Sequence, residues 1–164
     1  MSIEIREITI AEAYAVSVLA REIWQEHYNP MVGSAQVEYM LSRFQSAEAV
    51  LSHISTEGYR YHAAYDGDRL IGYSAFYPAD GYIFLSKLYV LKEYRGQGIA
   101  GRFFDIIKDA SVTSGYNKIV LRVNRHNSGS IAVYKKWGFA VAKEEINDIG
   151  GGFINEDYVL EFKT

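Results

Sequence analysis

The sequence predicts a mixed α/β fold built around a single, mostly antiparallel sheet with flanking helices. Three observations predict it. Apolar residues recur at helical spacing early in the chain and at a spacing of two from Tyr59 onward. Two turn clusters, Asp66-Gly67-Asp68 and Ala79-Asp80-Gly81, punctuate the alternating region, as in a meander. Beyond them come an apolar run, a glycine-rich turn, a helical pattern and a second apolar run. That is the order of a strand–helix–strand crossover.

Each element follows from local chemistry. The N-terminal Met1-Ser2-Ile3-Glu4-Ile5-Arg6-Glu7 is charged, has no apolar signal core and is assigned no element. Thr9 with Glu12 three residues on is a capping-box pattern. Ala13, Val16, Ala20, Ile23 and Trp24 then share one face, predicting a helix from about Ile10 to about Gln25. Ser34 can cap a second helix through Phe44, and Ser46 a third ending near Gly58. Tyr59–Tyr65, Leu70–Tyr77 and Tyr82–Val90 read as successive strands, the last too apolar to have a solvated face. Ile99–Ser114 is a helix stopped by Gly115, with Phe103, Ile106, Ile107 and Ala110 on one face. Lys118–Val123 is a buried strand, and Ser130–Lys136 a short helix stopped by Gly138. Phe139–Asn147 and Phe153–Phe162 form a last hairpin around Gly150-Gly151-Gly152.

Composition narrows the function. At 164 residues and 49% hydrophobic, the chain reads as one domain over 1–164 with ample core. It has no cysteine, which excludes disulfides, a thiolate nucleophile and thiolate-held metal. His27, His53, His62 and His126 lack the clustered spacing of a metal site, so no metal is expected. Net charge is −3 and no basic stripe occurs, which argues against a nucleic-acid partner. No apolar run approaches the ~20 residues that span a bilayer, so the expectation is a cytoplasmic protein with no membrane partner. The apolar strand faces are compatible with a homodimer, for which the sequence locates no interface.

The stretch richest in chemistry is Leu88–Gly101. Backbone N–H groups at a glycine turn ahead of a helix form an anion site, and glycines keep side chains from blocking it. Gly96-x-Gly98-x-x-Gly101 literally matches the dinucleotide fingerprint. However, Leu91–Arg95 separates the strand from the first glycine, and the next strand ends Arg122-Val123-Asn124, with no acid for a ribose. The other reading is Arg95-x-x-Gly98-x-Ala100, which alone equally describes a plain strand-to-helix turn.

Downstream stands Asn127-Ser128-Gly129-Ser130-Ile131-Ala132-Val133-Tyr134-Lys135-Lys136-Trp137-Gly138-Phe139. With both motifs in hand, the chain resembles the GNAT superfamily of N-acetyltransferases. Their glycine turn is Arg/Gln-x-x-Gly-x-Gly/Ala, and their later signature is Asn-x-x-Ala-x-x-x-Tyr-x-x-x-Gly-Phe. Asn127, Tyr134, Gly138 and Phe139 match, with Ser130 in place of alanine. The resemblance is clear over about 82–162. More loosely, Trp24, Tyr28 and Gln36–Leu41 resemble the bacterial polyamine and small-amine branch.

The resemblance implies the acyl-CoA N-acyltransferase fold, with Tyr82–Val90 and Lys118–Val123 as a splayed parallel pair. It implies acetyl-CoA as co-substrate, its pantetheine arm pairing with the backbone near Leu88 and Val90. Arg95, Gly96, Gln97, Gly98, Ile99, Ala100 and Gly101 would receive the diphosphate, and Asn127 would hold the cofactor or shape its turn, though it equally suits a helix cap. Tyr134 takes the family's general-acid position, against the alternative of a tyrosine covering the core. Arg102, Lys135 and Lys136 read as surface charges rather than phosphate ligands. Many relatives carry a glutamate base on the first splayed strand, whereas Phe84–Tyr89 has no acid. Glu26, His27, Asp80 and His126 remain open as bases.

The expected acceptor is a small-molecule primary amine. Trp24, Glu26, His27, Tyr28, Tyr39 and Met40 are its candidate contacts, with Tyr59, Tyr61, Tyr77 and Tyr82 on later strands. The rival readings are acetylation of a protein N-terminal amine and a non-catalytic acyl-CoA-binding regulator.

Overall fold

A computed structural model describes residues 2–164. Its elements are β1 (Ile3–Glu7), α1 (Ala13–Val32), α2 (Ser34–Phe44), α3 (Ala47–Thr56), β2 (Arg60–Asp66), β3 (Arg69–Pro78), β4 (Ile83–Val90), α4 (Ile99–Thr113), β5 (Lys118–Asn124), α5 (Ser128–Trp137), β6 (Ala140–Gly150) and β7 (Phe153–Lys163). The strands form one seven-stranded sheet in the order β1-β2-β3-β4-β5-β7-β6. β4 and β5 run parallel and the other neighbours antiparallel. The expected fold class therefore holds.

Two elements differ from expectation. The charged N-terminus is an edge strand, with Ile3–Glu7 antiparallel to Asp66–His62. Ile3 and Ile5 pack on the core while Glu4, Arg6 and Glu7 are exposed or paired, so the alternation was present but hidden by charge. α1 continues past Gln25 to Val32, with Pro30 inside its last turns. Proline removes one i→i−4 bond there, and the helix stops shortly after at Gly33, φ 88°. The added turns carry His27 and Tyr28 inward. Two caps are as expected: Thr9 N–H donates to Glu12 Oε1 at 3.4 Å, and Ser46 Oγ accepts from Ala49 N–H at 3.1 Å. Ser34 is instead the first residue of α2, whose N-cap is Gly33 with no side-chain bond, because α1 runs on to Val32 and leaves only a glycine between the two helices.

Both faces of the sheet are covered. Val16, Ala20 and Trp24 of α1 pack against Tyr61, Ile71 and Tyr73 on one face. Phe104 and Ile107 of α4 pack against Phe76, Leu85, Leu121 and Leu160 on the other. The sheet opens between β4 and β5, which pair only at Ile83↔Ile119 and Phe84↔Val120. The cause is visible on the other side of β4. Ala75 faces Lys87 but Phe76 faces Leu85, so Ser86 is an extra residue without a partner. Such a bulge bends its strand. β5 is meanwhile held straight by β7, in register from Lys118↔Lys163 to Asn124↔Asp157. A V-shaped gap results.

Candidate functional site

A cleft of about 910 Å³ occupies the gap and extends past it under α1 and α3. Tyr134 and every residue expected to hold the cofactor line it except Gln97, which is exposed and lies off the wall. The glycine turn forms one end. Gly96 and Gly98 have φ of 79° and 80°, left-handed values that cost other residues energy. A Cβ built at Gly96, Gly98 or Gly101 meets nothing within 4 Å, so the space before the turn is open. The first bond of α4 is Arg102 N–H to Gly98 O at 3.1 Å. The amides of Ile99, Ala100 and Gly101 precede it and have no helical acceptor. A diphosphate fits this cradle of free amides and partial positive charge. Arg95 contributes differently than expected: its Nε donates to Val90 O at 3.1 Å, supporting the free end of β4.

Asn127 is a buried hub. Its side chain caps α5 by accepting from Ser130 N–H at 3.4 Å, and its Nδ2 donates to Tyr28 Oη at 3.2 Å. His27 Nε2 lies 3.2 Å from its Oδ1. Both readings of this residue, cap and cleft wall, thus apply. Burial pushes the Tyr28 phenol up to about 12 and His27 below its ordinary range. Tyr134 is half-buried on α5, edge-on to Trp137 and Phe139 at 5.7 Å. Desolvation first, and the neighbouring Tyr28 second, push its phenol upward, so it holds its proton at neutral pH. Trp24, Tyr28 and Tyr89 form an aromatic wall, with centroids 4.4 to 6.3 Å apart.

The far end holds ionisable groups that sequence reasoning missed. Lys87 points into the α1–α3 side from β4, next to the Ser86 bulge. Its buried Nζ lies 2.6 Å from Tyr61 Oη and donates to the Phe44 carbonyl at 2.7 Å. Burial lowers its pKa to about 7, opposed in part by Glu57. Tyr61 Oη lies 2.8 Å from His53 Nδ1, and His53 stacks on Tyr59 at 4.1 Å. Burial and the Lys87 charge hold His53 down at about 4. Across the cleft, Asp157 of β7 stands near Arg122, and burial raises its carboxyl to about 6. The signal for Lys87 was the polar Ser86-Lys87 pair interrupting an apolar strand. Asp157 gave none, because its facing depends on a register between strands distant in sequence.

The remaining candidates separate cleanly. Of the four candidate bases, only His27 is on the wall. His126 Nε2 instead sits 3.6 Å from the Glu156 carboxylate. Arg102 donates to Ile3 O at 2.9 Å, and of the two α5 lysines Lys136 reaches the wall. Trp24, His27, Tyr28, Met40 and Tyr59 line the cleft, whereas Glu26, Tyr39, Tyr61, Tyr77 and Tyr82 do not. Tyr39 donates to Ile149 O at 2.8 Å and covers Gly150 and Gly151, where any Cβ would strike its ring.

Comparison with known proteins agrees with this geometry. Residues 18–139 match the Acetyltransferase (GNAT) family. The chain is 26% identical over 152 residues to a spermidine N(1)-acetyltransferase of Thermoplasma acidophilum, covering 90% of this chain and 94% of that protein. It is 28% identical over 81 residues to the uncharacterized N-acetyltransferase YjcF of Bacillus subtilis; that match covers 49% of this chain and only 56% of the relative. Among solved structures, PaiA N-acetyltransferase from Thermoplasma acidophilum in complex with coenzyme A superposes with a TM-score of 0.84. Its identity is 26%, with 100% of each chain covered.

Proposed function

The chain belongs to the acetyltransferase (GNAT) family, and on that premise we propose that it transfers acetyl from acetyl-CoA to a primary amine of a small cationic molecule, a polyamine being the leading case. Transfer is direct, within a ternary complex, and residues 1–164 act as one domain. The observation that carries this reading is the gap itself. Strand edges left unpaired by the Ser86 bulge lead from an amide cradle to an aromatic pocket holding Asp157.

Acetyl-CoA supplies an activated acyl carbon and a thiol leaving group. The amides of Gly96–Gly101 bind its diphosphate, and the free edge of β4 near Leu88 and Val90 pairs with the arm that follows. An unpaired N–H of that edge stabilises developing negative charge on oxygen. Tyr134, kept protonated by its surroundings, donates from Oη. Asp157 attracts the cationic acceptor, and Trp24, Tyr28 and Tyr59 offer it aromatic faces. The spermidine-acetylating relative, alignable over nearly the whole chain, supports the polyamine case. Among the described residues no helix is long and apolar enough to cross a membrane.

The test follows CoA thiol release with acetyl-CoA and a panel of diaminoalkanes, monoamines and a short peptide. Turnover highest with diaminoalkanes is expected. Turnover with the peptide alone would redirect the acceptor to a protein N-terminus. Tight acetyl-CoA binding with no turnover would make the chain a regulator.

A further inference from the structure

Acetylating an alkylammonium leaves one proton to be carried away. Three N–H bonds are present at the start, the amide keeps one and the departing thiol takes one. β4 offers no carboxylate to receive the third. It offers Lys87, on the cleft wall, joined through Tyr61 to His53, also on the wall.

We infer that His53, Tyr61 and Lys87 form a proton relay, in which the surplus proton of the acceptor amine enters at His53 Nε2 and comes to rest on Lys87 Nζ. The inference rests on the transferase reading above. Two of the three contacts, His53–Tyr61 and Tyr61–Lys87, work in either direction without moving a heavy atom, while the Phe44 carbonyl accepts throughout. In the resting direction His53 Nδ1–H donates to Tyr61 Oη, Tyr61 O–H donates to the Lys87 lone pair, and Lys87 N–H donates to Phe44 O. The separations are 2.8, 2.6 and 2.7 Å. A proton arriving at Nε2 drives the Nδ1 proton to Tyr61 and the Tyr61 proton to Lys87. Lys87 then donates to Tyr61 and Phe44, Tyr61 donates to His53, and the imidazole is left neutral as its Nε2–H tautomer. Atoms and charge balance, and the reverse passage to water in the emptied cleft resets the chain. His53 Nε2 has no hydrogen-bond partner among the described residues, which leaves it free for the amine.

The surroundings suit this role. A lysine held near 7 accepts a proton readily at neutral pH and gives it up again. The groups facing the relay are the Phe44 carbonyl from α2, Glu57 after α3, Tyr59 just before β2 and Tyr77 from β3, which packs on Tyr59 at 4.5 Å. Glu57 is the charged one, and it holds up the protonated state of Lys87. Direct contact between Lys87 Nζ and His53 Nδ1, at 3.5 Å, is too long to replace the tyrosine bridge.

Two measurements on the full chain test the relay. The first is the pH dependence of kcat/KM for 1,4-diaminobutane, from about pH 6 to about pH 9. The parent should rise to a plateau with an inflection near the Lys87 value of about 7. Tyr61→Phe and Lys87→Met should each lose the inflection and at least about tenfold in rate, with coenzyme A affinity unchanged, and the double variant should be no worse than either. An inflection retained in Tyr61→Phe, or an equal loss at every pH, would reduce these residues to structural support and overturn the relay. The second is ¹⁵N NMR of the His53 ring in the parent without any substrate. The imidazole should change from Nδ1–H to Nε2–H as Lys87 gains its proton, and a tautomer fixed across that range would overturn the relay. A parent that acetylates no amine would instead defeat the transferase reading, while the NMR result still judges the network on its own.

Discussion

At the scale of single residues, Tyr134 and Asp157 carry separable predictions. Tyr134→Phe removes one hydroxyl from a half-buried ring that keeps its contacts with Trp137 and Phe139. It should lower kcat by about a hundredfold with coenzyme A affinity unchanged, checked by steady-state kinetics and calorimetry. Asp157→Asn should raise KM for a diamine by about tenfold and also stabilise the fold. The sign follows from burial. The native carboxyl binds its proton up to about pH 6, the unfolded one only to the ordinary aspartate range. Between those values the native state holds more protons, so its stability falls as pH rises. At neutral pH the asparagine variant should therefore unfold on the order of 1 kcal/mol later in urea. The Tyr134 and Asn127 positions were legible because they sit in a local motif with fixed spacing. The joining of Lys87 and His53 through Tyr61 was not, since α3, β2 and β4 meet only in the folded sheet and no spacing along the chain records it.

At the scale of elements, the turn before α4 and the bulge in β4 do different work. Gly98 is the left-handed N-cap of α4 and faces open space, so Gly98→Ala meets no atom but adopts a disfavoured backbone. The expected cost is about 1 kcal/mol of stability, together with weakened coenzyme A binding as the amide cradle shifts; thermal melts and calorimetry measure the two. Deleting Ser86 should restore a regular β3–β4 register and let β4 straighten toward β5, abolishing coenzyme A binding while a cooperative melt persists. Helices and hairpins were readable from caps, periodicity and turn residues, as Ser46 and Asp66-Gly67-Asp68 show. β1 was not, because Glu4, Arg6 and Glu7 obscure a two-residue alternation in so short an edge strand. The end of α1 was missed because Pro30 normally stops a helix, yet the buried Tyr28 holds the final turns in place.

At the scale of the whole molecule, two apolar clusters stabilise the sheet: the first reaches from α1 on one face to Ile99 and Phe103 of α4 on the other, and Leu88 of β4 packs against both at the open strand pair. Leu160, fully buried on β7 beneath α4, joins the straight wall of the cleft to the second cluster. Leu160→Ala should cost about 2–5 kcal/mol in chemical denaturation. With that open pair as the proposed ligand seam, coenzyme A at a hundred times its dissociation constant should restore about 2.7 kcal/mol. The central claim is that this seam is the acetyl-CoA site. A crystal structure of the chain with coenzyme A tests it most directly. The diphosphate should lie on the amides of Gly96–Gly101, with the sulfur within hydrogen-bond reach of Tyr134 Oη. Coenzyme A bound elsewhere, or a sulfur remote from that phenol, would contradict the account.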